Sequence, residues 1–239
     1  MITNVSHDIK TPLTSILNYV GILRQTDPAD PKVQDYLNIL EEKAQRLKTL
    51  TEDVVEASKV SSGNISLEYM DLDLSEMIQQ TQGELEEKFE ARNLAIVTDL
   101  PAEPAVVHVD GRRMWRVLEN IYGNAAKYAM PGTRVYATLK TDDTKVRFSL
   151  KNVSEHQLNI QADELTERFI RGDISRSTEG SGLGLSIAKS LTTMQGGTFD
   201  LYLDGDLFRV DITFPRVKAK GNVGGTTEES KEKTTSGVS

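Results

Sequence analysis

Two apolar stripes in the first quarter of the chain, separated by "QTDPADPK", constrain its fold more than any other feature. Ile2, Val5, Ile9, Leu13, Ile16, Val20 and Leu23 recur at intervals of three and four, and so do Val33, Leu37, Leu40, Ala44, Leu47, Leu50 and Val54. Each series marks one face of an α-helix. Asp30 and Pro31 between them carry helix-start chemistry, a capping carboxylate followed by a residue whose missing N–H costs nothing there. The expected unit is an antiparallel helical hairpin. Two helices cannot bury both stripes by themselves, so the expected completion is a homodimer whose two hairpins form a four-helix bundle.

His7 sits between stripe positions, about 200° around the helix from both Val5 and Ile9, and is expected to face solvent. Thr11 follows one turn later on the same face. Pro12 removes a backbone donor and is expected to bend the helix just past that face, giving no long unbroken rod. A lone exposed histidine signals little, but His7 with Asp8, Lys10 and Thr11 around it makes a polar cluster opposite the helix's own apolar stripe.

The 239 residues suffice for one large domain or two modest ones. A net charge of −8 argues against a broad nucleic-acid-binding face, and the absence of cysteine excludes disulfides, thiolate catalysis and Cys-based metal sites. The three histidines, His7, His108 and His156, lack any metal-ligand spacing. No run approaches the length of apolar sequence needed to span a bilayer, so no direct membrane contact is expected of these residues.

After "SSGN" the pattern turns to mixed α and β. It predicts a strand at 65–70, a helix at 74–91, strands at 94–99 and 105–109, and a helix at 111–129. A hairpin at 133–153 around "TDDTK", a polar loop, a helix at 183–195 and a closing hairpin at 198–214 around "DGD" complete it. The expected fold class is thus an α-helical hairpin followed by an α/β sandwich. The expected domains are 1–62, 63–216 and a polar, disordered tail at 217–239.

In the helix at 111–129, Asn120, Asn124 and Lys127 share one face. Side-chain amide oxygens are hard donors suited to Mg²⁺, and an ammonium group one turn on suits a phosphate. Gly180, Gly182 and Gly184 immediately precede the helix at 183–195, where unhindered backbone amides and the helix dipole favour phosphate oxygens. Upstream, Arg171 and Arg176 offer bidentate phosphate contacts or serve as solvated loop charges. The stretch from about 170 to 182 is polar and small, as a mobile lid over a nucleotide would be.

"SHDIKTPLTSI" resembles the H box of sensor histidine kinases, "NIYGNAAKY" their N box, "RFIRGD" their F box and "GSGLGLSIAK" their G2 box, in the family's order and spacing. The resemblance spans nearly the whole chain short of the tail. It implies a HisKA-type dimerisation and phosphoacceptor hairpin followed by a GHKL-type ATP-binding domain, with ATP and Mg²⁺ as the cofactors. It also implies a response regulator receiver domain as partner and the cytoplasmic portion of a bacterial cell-membrane protein as the setting. Carried over by position, His7 would be the phosphoacceptor, Asp8 its hydrogen-bonding carboxylate, and Thr11 the residue that orients water for dephosphorylating the regulator. Asn124 and Asn120 would hold Mg²⁺. Lys127, Tyr128, Phe169, Arg171, Arg176, Gly180, Gly182, Leu183 and Gly184 would line the nucleotide.

One motif is missing. The family's G1 box, Asp-x-Gly-x-Gly, has no counterpart, and Asn152, Val153 and Ser154 stand where it would begin. Asn152 can accept a hydrogen bond from an adenine amino group through its carbonyl oxygen, without the aspartate's charge. Two readings follow: an autokinase with an altered adenine pocket, or a kinase-weak phosphatase or phosphotransfer module. An ATP-hydrolysing machine of the same superfold fits less well, since it would carry Glu at position 120 and would lack the hairpin.

Overall fold

The computed structural model describes residues 2–25, 31–61, 66–158 and 184–217. Helices α1 (Ile2–Gln25) and α2 (Pro31–Ser61) form the expected hairpin. The second begins at Pro31, as the start chemistry requires. Arg24 sets the pairing of the two helices, donating to Asn38 Oδ1 at 2.8 Å and pairing with Glu41. Leu13, Val20, Leu37 and Ala44 are buried in the hairpin, whereas Ile16, Leu23, Leu40, Leu47 and Val54 on the same stripes remain about half exposed. These apolar side chains are left uncovered within one chain. α1 runs as one continuous helix through Pro12, longer than the bend expected there suggests. A proline removes a single N–H, and the turns on either side keep their own bonds.

The rest of the described chain is built from β1 (Tyr69–Asp73), α3 (Leu74–Glu90), β2 (Ala95–Asp99), β3 (Val106–Asp110), α4 (Gly111–Tyr128), β4 (Arg134–Thr141) and β5 (Lys145–Val153). It closes with α5 (Gly184–Met194), β6 (Thr198–Asp204) and β7 (Leu207–Pro215). Five strands form one sheet in the order β2-β4-β5-β7-β6, with β2 parallel to β4 and the other neighbours antiparallel. Alternation puts Val135, Ala137 and Leu139 of β4 and Val146, Phe148 and Leu150 of β5 into the interior. Against them α4 buries Met114, Val117, Leu118, Ile121, Tyr122, Ala125 and Ala126. Burying a large apolar side chain contributes about 1.5–3 kcal/mol, so this one face fixes α4 on the sheet. Tyr122 is fully buried, and its hydroxyl accepts from Gln82 Nε2 of α3 at 2.8 Å. Burial pushes that phenol well above its usual pKa.

Strands β1 and β3 pair separately as an antiparallel ribbon, Tyr69 opposite Asp110 and Asp73 opposite Val106. The sequence places the first of them four residues too early, because the end of β1 is set by a tertiary contact. Asp73 caps α3 by accepting from Ser75 N at 2.9 Å and also accepts from Ala105 N across the ribbon. Asp110 does the same work for α4, accepting from Arg113 N at 3.0 Å and from Glu68 N at 2.9 Å. Burial alone would raise the Asp110 carboxyl, but these backbone donors and the Arg113 charge hold it below its usual value. Its contribution to stability is accordingly present at neutral pH and is lost as pH falls through the lowered pKa.

Among the described residues, no helix is long and apolar enough to cross a membrane. Asp110→Ala removes the α4 cap and should cost about 1–2 kcal/mol in urea unfolding at pH 7, with a smaller difference from the wild type below pH 3.

Candidate active site

α4 has two faces, and the candidate site lies on the one that does not enter the core. Asn120, Asn124, Lys127 and Tyr128 are all partly exposed there, while the residues between them are buried. Asn120, Asn124 and Lys127 were expected on one face from their spacing, and they lie on it, with Tyr128 beside Lys127. The Lys127 ammonium lies 5.0 Å from the centroid of the Tyr128 ring.

At the start of this row, α5 meets α4. A Cβ on Gly184, the first residue of α5, would come within 3.0 Å of Asn120 Oδ1. A side chain larger than hydrogen would crowd that amide, which explains glycine at this position. The N-terminal amides of α5 are thereby brought next to the amide row of α4. Asn120 Nδ2 is buried and has no hydrogen-bond partner among the described residues.

At the far end of α4, the chain of β5 closes over the helix terminus. Met130 N donates to Val153 O at 2.9 Å and Glu155 N donates to Tyr128 O at 2.9 Å. Asn152 lies one residue before Val153, with Val135 and Phe208 as its neighbours in register on the adjoining strands, and it is 3% exposed. Its Nδ2 donates to Val153 O at 3.2 Å. Because a carbonyl oxygen can only accept, this bond assigns the amide orientation and leaves Oδ1 as the free end. That oxygen is buried without a hydrogen-bond partner among the described residues. An orphaned buried acceptor costs about 1–3 kcal/mol, which a ligand donor would recover.

Sequence reasoning missed Arg92. It follows α3, donates to Ala129 O at 3.0 Å and to Lys127 O, and pairs with Glu155 at 2.5 Å. It satisfies the last carbonyls of α4 and so fixes the end of the helix that carries Lys127 and Tyr128. No local motif marks it, because its partners lie far along the chain. Asn93, the residue after it, adopts φ 52°, in the left-handed region.

His7, Asp8 and Thr11 all lie in α1, with Thr11 one turn beyond His7; their side chains fall outside those described. Phe169, Arg171, Arg176, Gly180, Gly182 and Leu183, together with the expected lid, also lie outside the described residues, as does the tail from 218.

Residues 1–63 match the His Kinase A (phospho-acceptor) domain, and residues 109–235 match the histidine kinase-, DNA gyrase B- and HSP90-like ATPase. The chain belongs to the histidine kinases. Among curated relatives, the sensor protein VanS of Enterococcus faecium is 32% identical over 219 residues, covering 87% of this chain and 55% of that protein. The sensor protein GacS of Pseudomonas syringae is 27% identical over 227 residues, covering 91% of this chain and 25% of its own length. The chain thus spans between a quarter and about half of these relatives. Full-length ShkA in complex with AMPPNP superposes with a TM-score of 0.75 at 22% identity, over 91% of this chain and 46% of that one. The histidine kinase ThkA in complex with the response regulator TrrA gives 0.62 at 23% identity, over 90% and 60%. Both establish the fold: a helical hairpin followed by the mixed α/β ATPase domain.

If the Asn152 carbonyl awaits a ligand, Asn152→Leu should leave the melting temperature of the ligand-free protein unchanged or raised, since Val153 O keeps its bond from Met130 N. Titration calorimetry should show ATP binding weakened about 5- to 10-fold, the equivalent of one hydrogen bond. Unchanged affinity would mean that another group reads the base.

Proposed function

We propose that this chain is the catalytic core of an ATP-dependent protein-histidine autokinase that phosphorylates His7 and passes the phosphoryl group to an aspartate of a response regulator receiver domain. The observation that carries the reading is the pair of orphaned amide atoms in the ATPase domain, Nδ2 of Asn120, whose Oδ1 lies against Gly184, and Oδ1 of Asn152 beyond the other end of the α4 row. Polar atoms buried at such cost suit a ligand with polar groups at both ends, as a nucleotide has.

In this reading Asn152 Oδ1 accepts from the adenine amino group, and Lys127 and Tyr128 lie along the nucleotide. Arg171, Arg176 and the amides around Gly180, Gly182 and Gly184 receive the phosphates, with Phe169 and Leu183 packing nearby. The donor set fits a hard cation: the carbonyl oxygens of Asn124 and Asn120 would hold Mg²⁺. Once bound, Mg²⁺ would neutralise charge on the triphosphate. The Asp8 carboxylate holds the proton on His7 Nδ1, which leaves the lone pair of Nε2 free. Nε2 attacks the γ-phosphorus, an N–P bond forms, and the bond to the β-phosphate oxygen breaks with its electron pair leaving on ADP. Transfer onward breaks the N–P bond and forms an acyl phosphate on the regulator. Thr11, one turn from His7, orients the water that hydrolyses that acyl phosphate, so regulator dephosphorylation is part of the same reading.

The uncovered apolar residues of the hairpin support a homodimer. Ile16, Leu23, Leu40, Leu47 and Val54 are exposed on the two stripes, and a second hairpin would cover them as a four-helix bundle. The kinship with sensor proteins supports a cytoplasmic setting beneath a bacterial membrane. The domain limits 1–62, 63–216 and 217–239 belong to the same reading.

Incubation with γ-labelled ATP and Mg²⁺ should produce acid-labile label on the wild type and none on His7→Gln, which should remain dimeric in sedimentation. Label persisting in that variant would refute His7 as acceptor. Absence of label from both, with ATP still bound, would favour the phosphatase or phosphotransfer reading. Thr11→Ala should keep autophosphorylation within about 2-fold while slowing regulator dephosphorylation at least tenfold; equal loss of both would remove that role.

A further inference from the structure

The two parts of the chain are joined by more than their covalent connection. Asp53 and Glu56 stand one turn apart near the end of α2, and Arg113 and Arg116 stand one turn apart at the start of α4. Arg116 donates from Nη2 to Asp53 at 2.6 Å, from Nε to Glu56 at 3.2 Å and from Nη1 to Glu119 of its own helix at 2.7 Å. Arg113 reaches the other oxygen of Glu56 at 3.1 Å. Asp53 is 4% exposed, so water does little to screen its pair. Burial would favour loss of the Arg116 proton, but the surrounding carboxylates hold the guanidinium firmly charged. One planar guanidinium spread over three carboxylates is a geometry that lysine cannot reproduce.

The position of this cluster along the hairpin bears on catalysis. Arg24 pairs with Asn38 and Glu41, and both helices rise equally per residue. Seventeen residues back from Arg24, His7 is therefore level with about residues 55–58 of α2, the turn that holds Glu56. On α4, Arg116 precedes Asn120 by one turn on the same face. The cluster thus joins the turn of α2 level with His7 to the start of the Asn120 row.

We propose that Arg116 is a positioning residue for phosphoryl transfer, seating the nucleotide domain on α2 at the level of the phosphoacceptor through Asp53 and Glu56. This inference rests on the autokinase reading. Arg116 does not touch the nucleotide in it; the residue sets where the nucleotide row stands relative to His7.

The whole chain lacks cysteine, so Thr49→Cys on α2 and Asp143→Cys on the β4–β5 turn accept spin labels at those two places alone. In the doubly labelled protein, Arg116→Glu should broaden the distance distribution. In the unlabelled protein it should lower the autophosphorylation rate at saturating ATP at least tenfold while ATP affinity stays within twofold. Adding Asp53→Lys reverses the charge pair and should narrow the distances and recover at least half of the rate. An unchanged or faster rate in Arg116→Glu, an unchanged distribution, or a rate loss matched by lost ATP affinity would each overturn the proposal. A wild type that binds ATP without forming phosphohistidine would overturn the kinase reading, and the transfer role with it. In that case the spin distances would still report whether Arg116 holds the two parts together.

Discussion

The burial of one face of α4 against the five-stranded sheet is the interaction on which the rest depends. Seven of its side chains enter the core, from Met114 to Ala126. That leaves the opposite face no freedom to rotate, so Asn120, Asn124 and Lys127 must line up toward the same side. Both ends of the helix are held as well, Asp110 capping the first turn and Arg92 closing the last. In the proposed function, a binding row on a helix so fixed is set before any ligand arrives, which lowers the ordering cost of binding.

The proposed site leaves polar atoms buried without partners among the described residues. Buried amide atoms without partners are rare in stable folds, yet Asn120 and Asn152 each have one. In Asn152 the second half of the amide is tied to Val153 O, so the carbonyl cannot turn away to find another donor. In the proposed function, Asn152 stands where the family's G1 aspartate would, keeping an acceptor and giving up the charge. An aspartate at this buried place would need a charged or multiple-donor environment to stay ionised; a neutral amide does not.

Much of this was legible in the sequence. The 3.6-residue period marked α1, α2, α3, α4 and α5, and the turns "TDDTK" and "DGD" located two hairpins, because in these segments local chemistry and tertiary burial agree. Asp142 accepts from the N–H groups of Thr144 and Lys145, and Gly205 takes φ 56°, each as its turn sequence suggests. Where the two levels diverge, the reading slips. The strand β1 ends where Asp73 binds Ala105 N, a contact 32 residues away, so its start could not be read from residues 65–70 alone. α1 continues through Pro12, because the loss of one backbone donor does not by itself end a helix. Asn120, Asn124, Lys127 and Tyr128 could be read as a candidate row because they belong to one helix. Arg92 and the Asp53, Glu56, Arg113 and Arg116 cluster were not, since each is a meeting of distant segments that no spacing rule encodes.

The central claim is that Asn152 reads adenine while the amide row of α4 faces the phosphates. A crystal structure of the chain with a non-hydrolysable ATP analogue and Mg²⁺ tests it most directly. The account predicts the adenine amino nitrogen at about 2.7–3.2 Å from Asn152 Oδ1, with the metal on the Asn124 carbonyl oxygen. A base bound elsewhere, with Asn152 Oδ1 still unpartnered, would contradict it.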